Sequence, residues 1–303
     1  MKVLFVCRFK SSYTGHVAPF IADQAEALKA IGVQVAIFKI TAYNWQNYRL
    51  LLKNIQIFQP DLIHAHYGIT GFFTNLQRKV PVVTTFHGSD INDSFVRRLS
   101  KLACKLSVCS VFVTPELLYK SGCKKNTIVV PCGVDTRIFK PIPRQEARHQ
   151  LGLPADRYLV LFGGSFDNPV KNARLAFEVA NQFDDLRLLE LKGYSRHEVA
   201  LLMNAVDLCL LTSHSEGSPQ FVKEAMACDC PVVAMPVGDV EKLLTGVSNS
   251  FVVNYDPELI REKIEWILKL QQRSDGSKKI NELGVNNQLI AERLKNLYLK
   301  ISQ

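Results

Sequence analysis

The sequence predicts an α/β protein built from two parallel-sheet domains, and three observations predict it. Apolar, strand-like runs alternate with helix-spaced segments from residue 2 to residue 131. A polar, proline-bearing stretch follows at 140–157 (KPIPRQEARHQLGLPADR), and a second, shorter alternation resumes at 158. Strands alternating with helices imply a parallel sheet covered by helices on both faces. A chain of 303 residues has the length for two such domains, each with its own core.

Taken in order, the first half carries strands at 2–9, 33–40, 62–66, 81–86, 107–113 and 127–131. Helices are expected at 17–31, 44–59, 69–78, 92–106 and 115–121. Within 17–31, Phe20, Ile21, Ala25, Leu28 and Ile31 keep helical spacing and stop at Gly32, which suits a left-handed cap. The polar connector carries a short helix at 144–151. The second alternation is strand 158–163, helix 171–183, strand 186–191, helix 195–204, strand 207–213, helix 219–228, strand 231–235 and helix 257–272. Leu289, Ile290, Leu294, Leu297, Tyr298 and Ile301 form a last helical stripe.

Composition narrows the function. With 47 % hydrophobic and 21 % charged residues the chain is ordinary globular protein. No apolar run approaches the roughly 18–20 residues of a spanning helix. The opening MKVLFVCRF, broken by Arg8, reads as a first strand rather than a leader. The eight cysteines (7, 104, 109, 123, 132, 209, 228, 230) sit mostly in apolar runs and form no CxxC pair, so buried free thiols in a reducing, cytoplasmic compartment are expected. A net charge of +9 implies anionic partners. Aromatic and basic residues are not interleaved in stacking arrays, which argues against nucleic acid. Nucleotide diphosphates and anionic membrane surfaces remain.

The most informative stretch is Glu216-Gly-Ser-Pro-Gln-Phe-Val-Lys-Glu224, between two apolar strands. Ser218 is a good helix N-cap, with Pro219 at the first helical position. The N–H groups at Ser218–Gln220 and the positive end of the helix dipole favour phosphate. Glu224, five residues past Pro219, lies roughly 7–8 Å further on at about 1.5 Å per residue. That is about the span from a diphosphate to a ribose, whose hydroxyls a carboxylate accepts from. Glu216 lies in the loop on the other side, where a transferred group would sit. The pair alone does not choose between this and two solvated glutamates.

The surrounding residues do choose. EGSPQFVKEAMACDCPVVA, with its two glutamates separated by seven residues, resembles the signature of the retaining family-4 glycosyltransferases of the GT-B fold. His87-Gly-Ser-Asp90 resembles the family's HG-x-D segment, and residues 127–135 (TIVVPCGVD) and 161–172 also match. The resemblance implies two Rossmann-like domains facing across a cleft. These would be 1–141, completed by a C-terminal helix at 286–303, and 142–285. It implies a nucleotide-diphosphate sugar as donor (a UDP- or GDP-sugar), an external saccharide or lipid-linked acceptor, retention of configuration and no required metal or other cofactor. Residue by residue, it makes His87 and Glu216 catalytic. Lys171, Gly217, Ser218, Pro219, Gln220 and Glu224 hold the donor, with Ser165 near the position of the family's phosphate-binding arginine. Gly193 and Tyr194 are the base-side candidates. Tyr13, Gly15 and His16, in a first loop that keeps only one of the family's glycines, are acceptor-side candidates with His66 and Tyr67 at the third strand's tip. Two departures stand out. Asp229 replaces the usual glycine after the helix, and one strand-helix unit is missing between the lysine loop and residues 207–213.

Two further readings belong to particular segments. His64 and His66 point the same way by strand alternation, which would suit a metal pair, but no third ligand stands at useful spacing. Helix 92–106 carries an apolar stripe (Phe95, Leu99, Leu102, Leu106), expected to be buried against the sheet, and a basic face (Arg97, Arg98, Lys101, Lys105). That face is either solvated or docks on anionic lipid, as a transferase with a lipid-linked acceptor would. Two other functions stay open: a GT-B nucleotide-sugar epimerase or hydrolase, and a nucleotide-binding module without catalysis. No G-x-G-x-x-G follows a strand, so a Rossmann oxidoreductase is disfavoured.

Overall fold

A computed structural model of the chain describes residues 1–11 and 16–302. The chain divides into two units, Met1–Gly133 with Asn287–Gln303, and Val134–Asn286. The first holds β1 (Lys2–Arg8), α1 (Pro19–Ala30), β2 (Gln34–Ile40), α2 (Trp45–Phe58), β3 (Leu62–His66), α3 (Gly68–Asn75), β4 (Val82–Phe86), α4 (Ser89–Asn92), α5 (Ser94–Leu106), β5 (Cys109–Phe112), α6 (Pro115–Ser121) and β6 (Thr127–Val129). The second holds α7 (Arg144–Leu151), β7 (Tyr158–Phe162), α8 (Ala173–Ala180), β8 (Leu186–Glu190), α9 (Arg196–Ala205), β9 (Leu208–Leu211), α10 (Gln220–Ala227), β10 (Val232–Ala234), α11 (Val240–Leu244), β11 (Phe251–Val252), α12 (Pro257–Leu270) and α13 (Gly276–Leu283). The last helix, α14 (Asn287–Ile301), returns to the first unit.

The first sheet is all parallel, in the order β2-β1-β3-β4-β5-β6. Strand alternation divides β1 between two cores. Val3, Phe5 and Cys7 pack with Ile21, Leu28, Ile290, Leu294 and Tyr298 of α1 and α14. Leu4 and Val6 pack with Leu51, Ile55 and Phe73 of α2 and α3. A strand buried on both faces reads as a continuous apolar run, which is why KVLFV stands out in the sequence. Helix starts follow local chemistry. Asn44 accepts from the Asn47 N–H at the head of α2, and Asp93 from Phe95 and Val96 at the head of α5.

The second sheet has five parallel strands in the order β11-β10-β9-β7-β8. Between the lysine loop and β9 lie α8, one strand (β8) and α9, and β8 is the sheet edge among the described residues. Beneath β7 and β9, Asp207 accepts from the Leu159 N–H and pairs with Arg144 (2.5 Å) and Arg148 (2.9 Å). Buried Arg148 also donates to the carbonyls of Pro154, Ala155, Arg157 and Ala205, so one guanidinium ties α7 to the strand starts.

Several sequence expectations need correcting. Residues 92–106 are two helices broken at Asp93, whose extended backbone makes it the cap of the second. The apolar stripe of that second helix is not buried. Phe95 is 73 % exposed and Leu102 43 %, whereas Ser100, Ala103 and Cys104 face inward. The cause is close packing on α3: a Cβ on Gly68 would lie 1.9 Å from the Ser100 hydroxyl oxygen, so this interface accepts only small side chains. Cys104 and Cys123 are joined as a disulfide, their Cα atoms 6.6 Å apart, so these two are not the free thiols expected; the other six cysteines are free and buried. Proximity of two cysteines 19 residues apart on separate elements leaves no spacing signal. Helices α11 and α13 and strand β11 are short and went unread. Asp229 does adopt a left-handed conformation (φ 51°), and its carboxylate accepts from the Ser277 N–H at 2.7 Å, which anchors α13 to this turn.

Candidate functional site

In the second unit the connections run opposite ways from β7, to β8 on one side and to β9 on the other. The loops leaving the carboxyl ends of β7 and β9 therefore meet at a topological switch point, where open α/β sheets bind ligands. The β7 loop runs through Gly163 and Gly164 into a short 3-10 turn, Pro169–Lys171. Lys171 lies across Gly164, where a Cβ would come 2.8 Å from the lysine Cγ. The Thr212 hydroxyl, from the β9 loop, faces the carbonyls of Lys171 (2.8 Å) and Asn172 (3.0 Å) and fixes the turn. Lys171 Nζ then meets Glu216 Oε1 at 2.7 Å, with both side chains about one-fifth exposed. Two residues that the sequence placed on separate loops are thus in contact.

Helix α10 begins one residue later than expected. Pro219 occupies the cap position and Gln220 opens the helix, because the Ser218 hydroxyl donates to Asp239 (2.7 Å) rather than capping. Gly217 is held close to the following loop: a Cβ on Gly238 (φ 60°) would stand 2.5 Å from the Gly217 carbonyl oxygen. Glu224 lies four residues past Gln220, on the same helix face and about 6 Å along the axis. It is buried, 5 % exposed, and Arg196 Nη1 lies 2.8 Å from its Oε1.

Arg196 is the functional-looking residue that sequence reasoning missed. It is the first residue of α9, whose start is locked by a capping box between Ser195 and Glu198. Its guanidinium carbon lies 4.5 Å from the ring centre of fully buried Phe139. Nothing in the RHE tripeptide announces a partner 28 residues away. Its neighbours Gly193 (φ 83°) and Tyr194 are exposed on the β8–α9 loop. The Ser165 hydroxyl sits between the carboxylates of Asp167 and Glu190, the latter at 3.0 Å, and Lys192 pairs with Asp167 at 2.7 Å. A separate cavity of about 230 Å³, lined by Arg144, Asp207 and Arg273 among others, opens at the amino ends of the strands, away from these groups.

In the first unit the carboxyl ends of β3 and β4 bring three histidines into one stack. His64 and His66 lie with ring centres 4.5 Å apart, and His66 and His87 5.4 Å apart. His64 is fully buried, with Nδ1 2.5 Å from the Tyr298 hydroxyl and Nε2 2.6 Å from that of Thr85. Both nitrogens are therefore occupied, which removes the metal-pair reading. Burial pulls its pKa down from 6.5 to about 3. His66 was expected to meet an acceptor, yet it too is fully buried; Nδ1 meets His87 Nε2 at 3.2 Å. Burial, then the neighbouring His64 and His87, hold it neutral. His87 is half-buried, packed by Phe20 and Tyr67, with Cys132 Sγ 3.6 Å from Nδ1. Its loop is organised by buried Asp90, which accepts from the N–H groups of Gly68, His87 and Gly88. Burial raises that carboxyl to about 6 against these bonds. Tyr67 heads α3 with φ 74°. His16 is exposed and stacks on Phe9. Tyr13 and Gly15 lie outside the described residues. No group of three or more His, Cys, Asp or Glu is set to hold a metal among the described residues.

Residues 13–138 match the family model for Glycosyltransferase Family 4, and residues 150–270 that for Glycosyl transferases group 1. The chain is 29 % identical over 221 residues to a protein named as a teichuronic acid biosynthesis glycosyltransferase in Bacillus subtilis (strain 168), covering 61 % of this chain and 55 % of that one. It is 26 % identical over 287 residues to a D-inositol 3-phosphate glycosyltransferase of Thermobispora bispora, covering 74 % and 65 %. The chain thus spans little more than half to about two-thirds of these relatives' lengths. Among solved structures, a sucrose-phosphate synthase of Thermosynechococcus elongatus superposes with a TM-score of 0.84 at 18 % identity, over 99 % of this chain and 98 % of that one. Anabaena HepE in complex with UDP superposes with a TM-score of 0.74 at 19 % identity, over 99 % and 100 %.

Proposed function

From the premise that the chain belongs to the family-4, group-1 glycosyltransferases and has their GT-B fold, we propose that it moves a sugar from a nucleotide-diphosphate sugar to an external acceptor, with retention of configuration. The observation that carries this reading is the cluster at the β7/β9 switch point: Lys171 on Glu216, with buried Glu224 one helical turn past the start of α10. The donor diphosphate would draw Lys171 from Glu216 and lie at the positive, N-terminal end of α10. Glu224 would accept from the ribose hydroxyls, and Glu216, released from Lys171, would hold hydroxyls of the transferred sugar. His87 would exchange its long Nδ1 contact with Cys132 Sγ, 3.6 Å, for a hydrogen bond to substrate where charge develops. His66 would then serve it from behind, since a buried neutral imidazole in contact with His87 Nε2 sets which nitrogen carries the proton. Stabilising the leaving diphosphate would be the main electrostatic task, and Lys171 is assigned to it. Binding of UDP by the Anabaena neighbour supports a nucleoside diphosphate here and leaves UDP and GDP as the two to test.

The experiment is a panel of UDP- and GDP-sugars with saccharide and lipid-linked acceptors. Acceptor-dependent release of nucleoside diphosphate is expected. Release or isomerisation without acceptor would replace the reading by a hydrolase or epimerase. Binding without turnover would replace it by a nucleotide-binding module.

A second reading concerns location. No helix among the described residues is long and apolar enough to cross a membrane. Helix α5, however, exposes Phe95 and Leu102 beside exposed Arg98, Lys101 and Lys105. An apolar ridge rimmed by cations is suited to an anionic lipid surface, with the ridge entering the headgroup layer. The proposal is therefore peripheral attachment through α5, consistent with a lipid-linked acceptor.

A further inference from the structure

Arg196 and Glu224 are fixed to each other by three separate elements. The capping box sets the first turn of α9, buried Phe139 lies against the guanidinium, and α10 presents the carboxylate. The pair is mostly desolvated: the side chains are 22 % and 7 % exposed at 2.8 Å. A desolvated ion pair returns little net stability over apolar residues of the same volume. Its gain is geometric, because a guanidinium resting on a ring has few rotamers and so fixes the carboxylate it holds. An ionised carboxylate offers about four lone-pair sites, so the Arg196 contact does not by itself exhaust it. Arg196 follows Gly193 and Tyr194 of the β8–α9 loop in the chain, and its side chain is 22 % exposed.

We propose that Arg196 is a positioning residue for the donor nucleotide: it holds the Glu224 carboxylate in the orientation that accepts from the two ribose hydroxyls. This rests on the assignment of Glu224 to the ribose made above. It also gives the site a second cation. Ser165, near the expected phosphate arginine, is committed to carboxylates, Arg8 lies over the Tyr43 ring in the other unit, and Arg174 is exposed on α8. Arg196 therefore enters through the ribose rather than the phosphate.

The test is calorimetric titration of wild type, Arg196→Gln, Arg196→Lys and Glu224→Gln with UDP and GDP, their 2′,3′-dideoxy analogues and inorganic pyrophosphate. Hydrogen bonds to charged groups contribute about 1.5–3 kcal/mol, roughly 10- to 100-fold in affinity. For the nucleotide that binds, Arg196→Gln should weaken the ribose form by about 10-fold or more. The dideoxy analogue and pyrophosphate should change by less than about threefold. Arg196→Lys keeps the charge without the planar fork and should fall between. If Arg196→Gln weakens ribose and dideoxy forms equally, while Glu224→Gln still discriminates between them, Arg196 only supports the fold and the proposal is overturned alone. A loss that extends to pyrophosphate makes Arg196 a phosphate contact and also overturns it. If Glu224→Gln does not discriminate, the ribose assignment fails and takes the proposal with it.

Discussion

Acid should loosen the first unit well before it affects an ordinary surface, because two buried imidazoles cannot take up protons there. His64 titrates at about 3 when folded against 6.5 in an open chain, and His66 is also held far below 6.5. A lowered folded value means that the stability is fully present above pH 6.5 and is lost as pH falls toward the folded pKa. Between pH 6.5 and 5 a shift to about 3 costs about 1.7 kcal/mol at His64, and His66 adds a loss of the same sign. Asp90 opposes them. Its carboxyl is raised from 3.8 to about 6, so its contribution is present at low pH and lost as pH rises through 6. Over the same interval it returns about 1.2 kcal/mol, less than His64 alone costs, so a net loss remains. His64→Asn removes one imidazole and should cut the pH-dependent loss by about 1.7 kcal/mol, whatever its uniform effect on stability. The assay is urea-dependent hydrogen exchange of peptides covering β3 and β4, corrected for intrinsic rates, since two units preclude a single two-state fit. A first unit equally stable at pH 6.5 and 5, or an undiminished slope in His64→Asn, would refute the reasoning.

Three further outcomes are expected. Gly68→Ala places a Cβ 1.9 Å from the Ser100 hydroxyl oxygen and should cost about 1–3 kcal/mol in thermal unfolding; Ser100→Gly in the same chain should recover part of it. Asp207→Ala leaves buried Arg148 without its carboxylate and should destabilise the second unit by about 3–5 kcal/mol in urea, whereas a change under 1 kcal/mol would contradict the anchoring role. Arg98→Glu with Lys101→Glu should abolish salt-sensitive co-sedimentation with anionic vesicles, at about 1 kcal/mol per basic residue. Phe95→Ser with Leu102→Ser should weaken it at high salt too, and wild-type protein that ignores such vesicles at low salt would end the membrane reading.

Both sheets were legible because parallel strands buried on two faces leave unbroken apolar runs, and KVLFV, PVVTTF and YLVLF have few competing interpretations. The short elements α11, α13 and β11 carry too few residues to show a period. Helix α5 misled for a definite reason. Hydrophobic spacing identifies a stripe but not which side is covered, and here small residues on α3 and α5 claimed the interface. In the site, the loop and helix bearing Glu216 and Glu224 could be placed, to within one residue, from the flanking strands. The contacts were not legible: Lys171 on Glu216, Arg196 on Glu224 and His66 behind His87 each join residues far apart in sequence. Ser218 shows the same limit at short range, since its cap signature is overruled by Asp239, 21 residues on.

The central claim is that one carboxylate serves the nucleotide and another the transferred sugar. It is tested most directly by measuring, on one preparation, the Kd for the nucleoside diphosphate and the turnover of its sugar donor in wild type and Glu216→Ala. The account predicts turnover lower by at least about 100-fold, with Kd unchanged or tighter, since Glu216 would act only on the reacting sugar and its removal releases Lys171 to the diphosphate. If Kd and turnover deteriorate together, Glu216 holds the loop or the phosphates instead, and the division of labour proposed for this site is wrong.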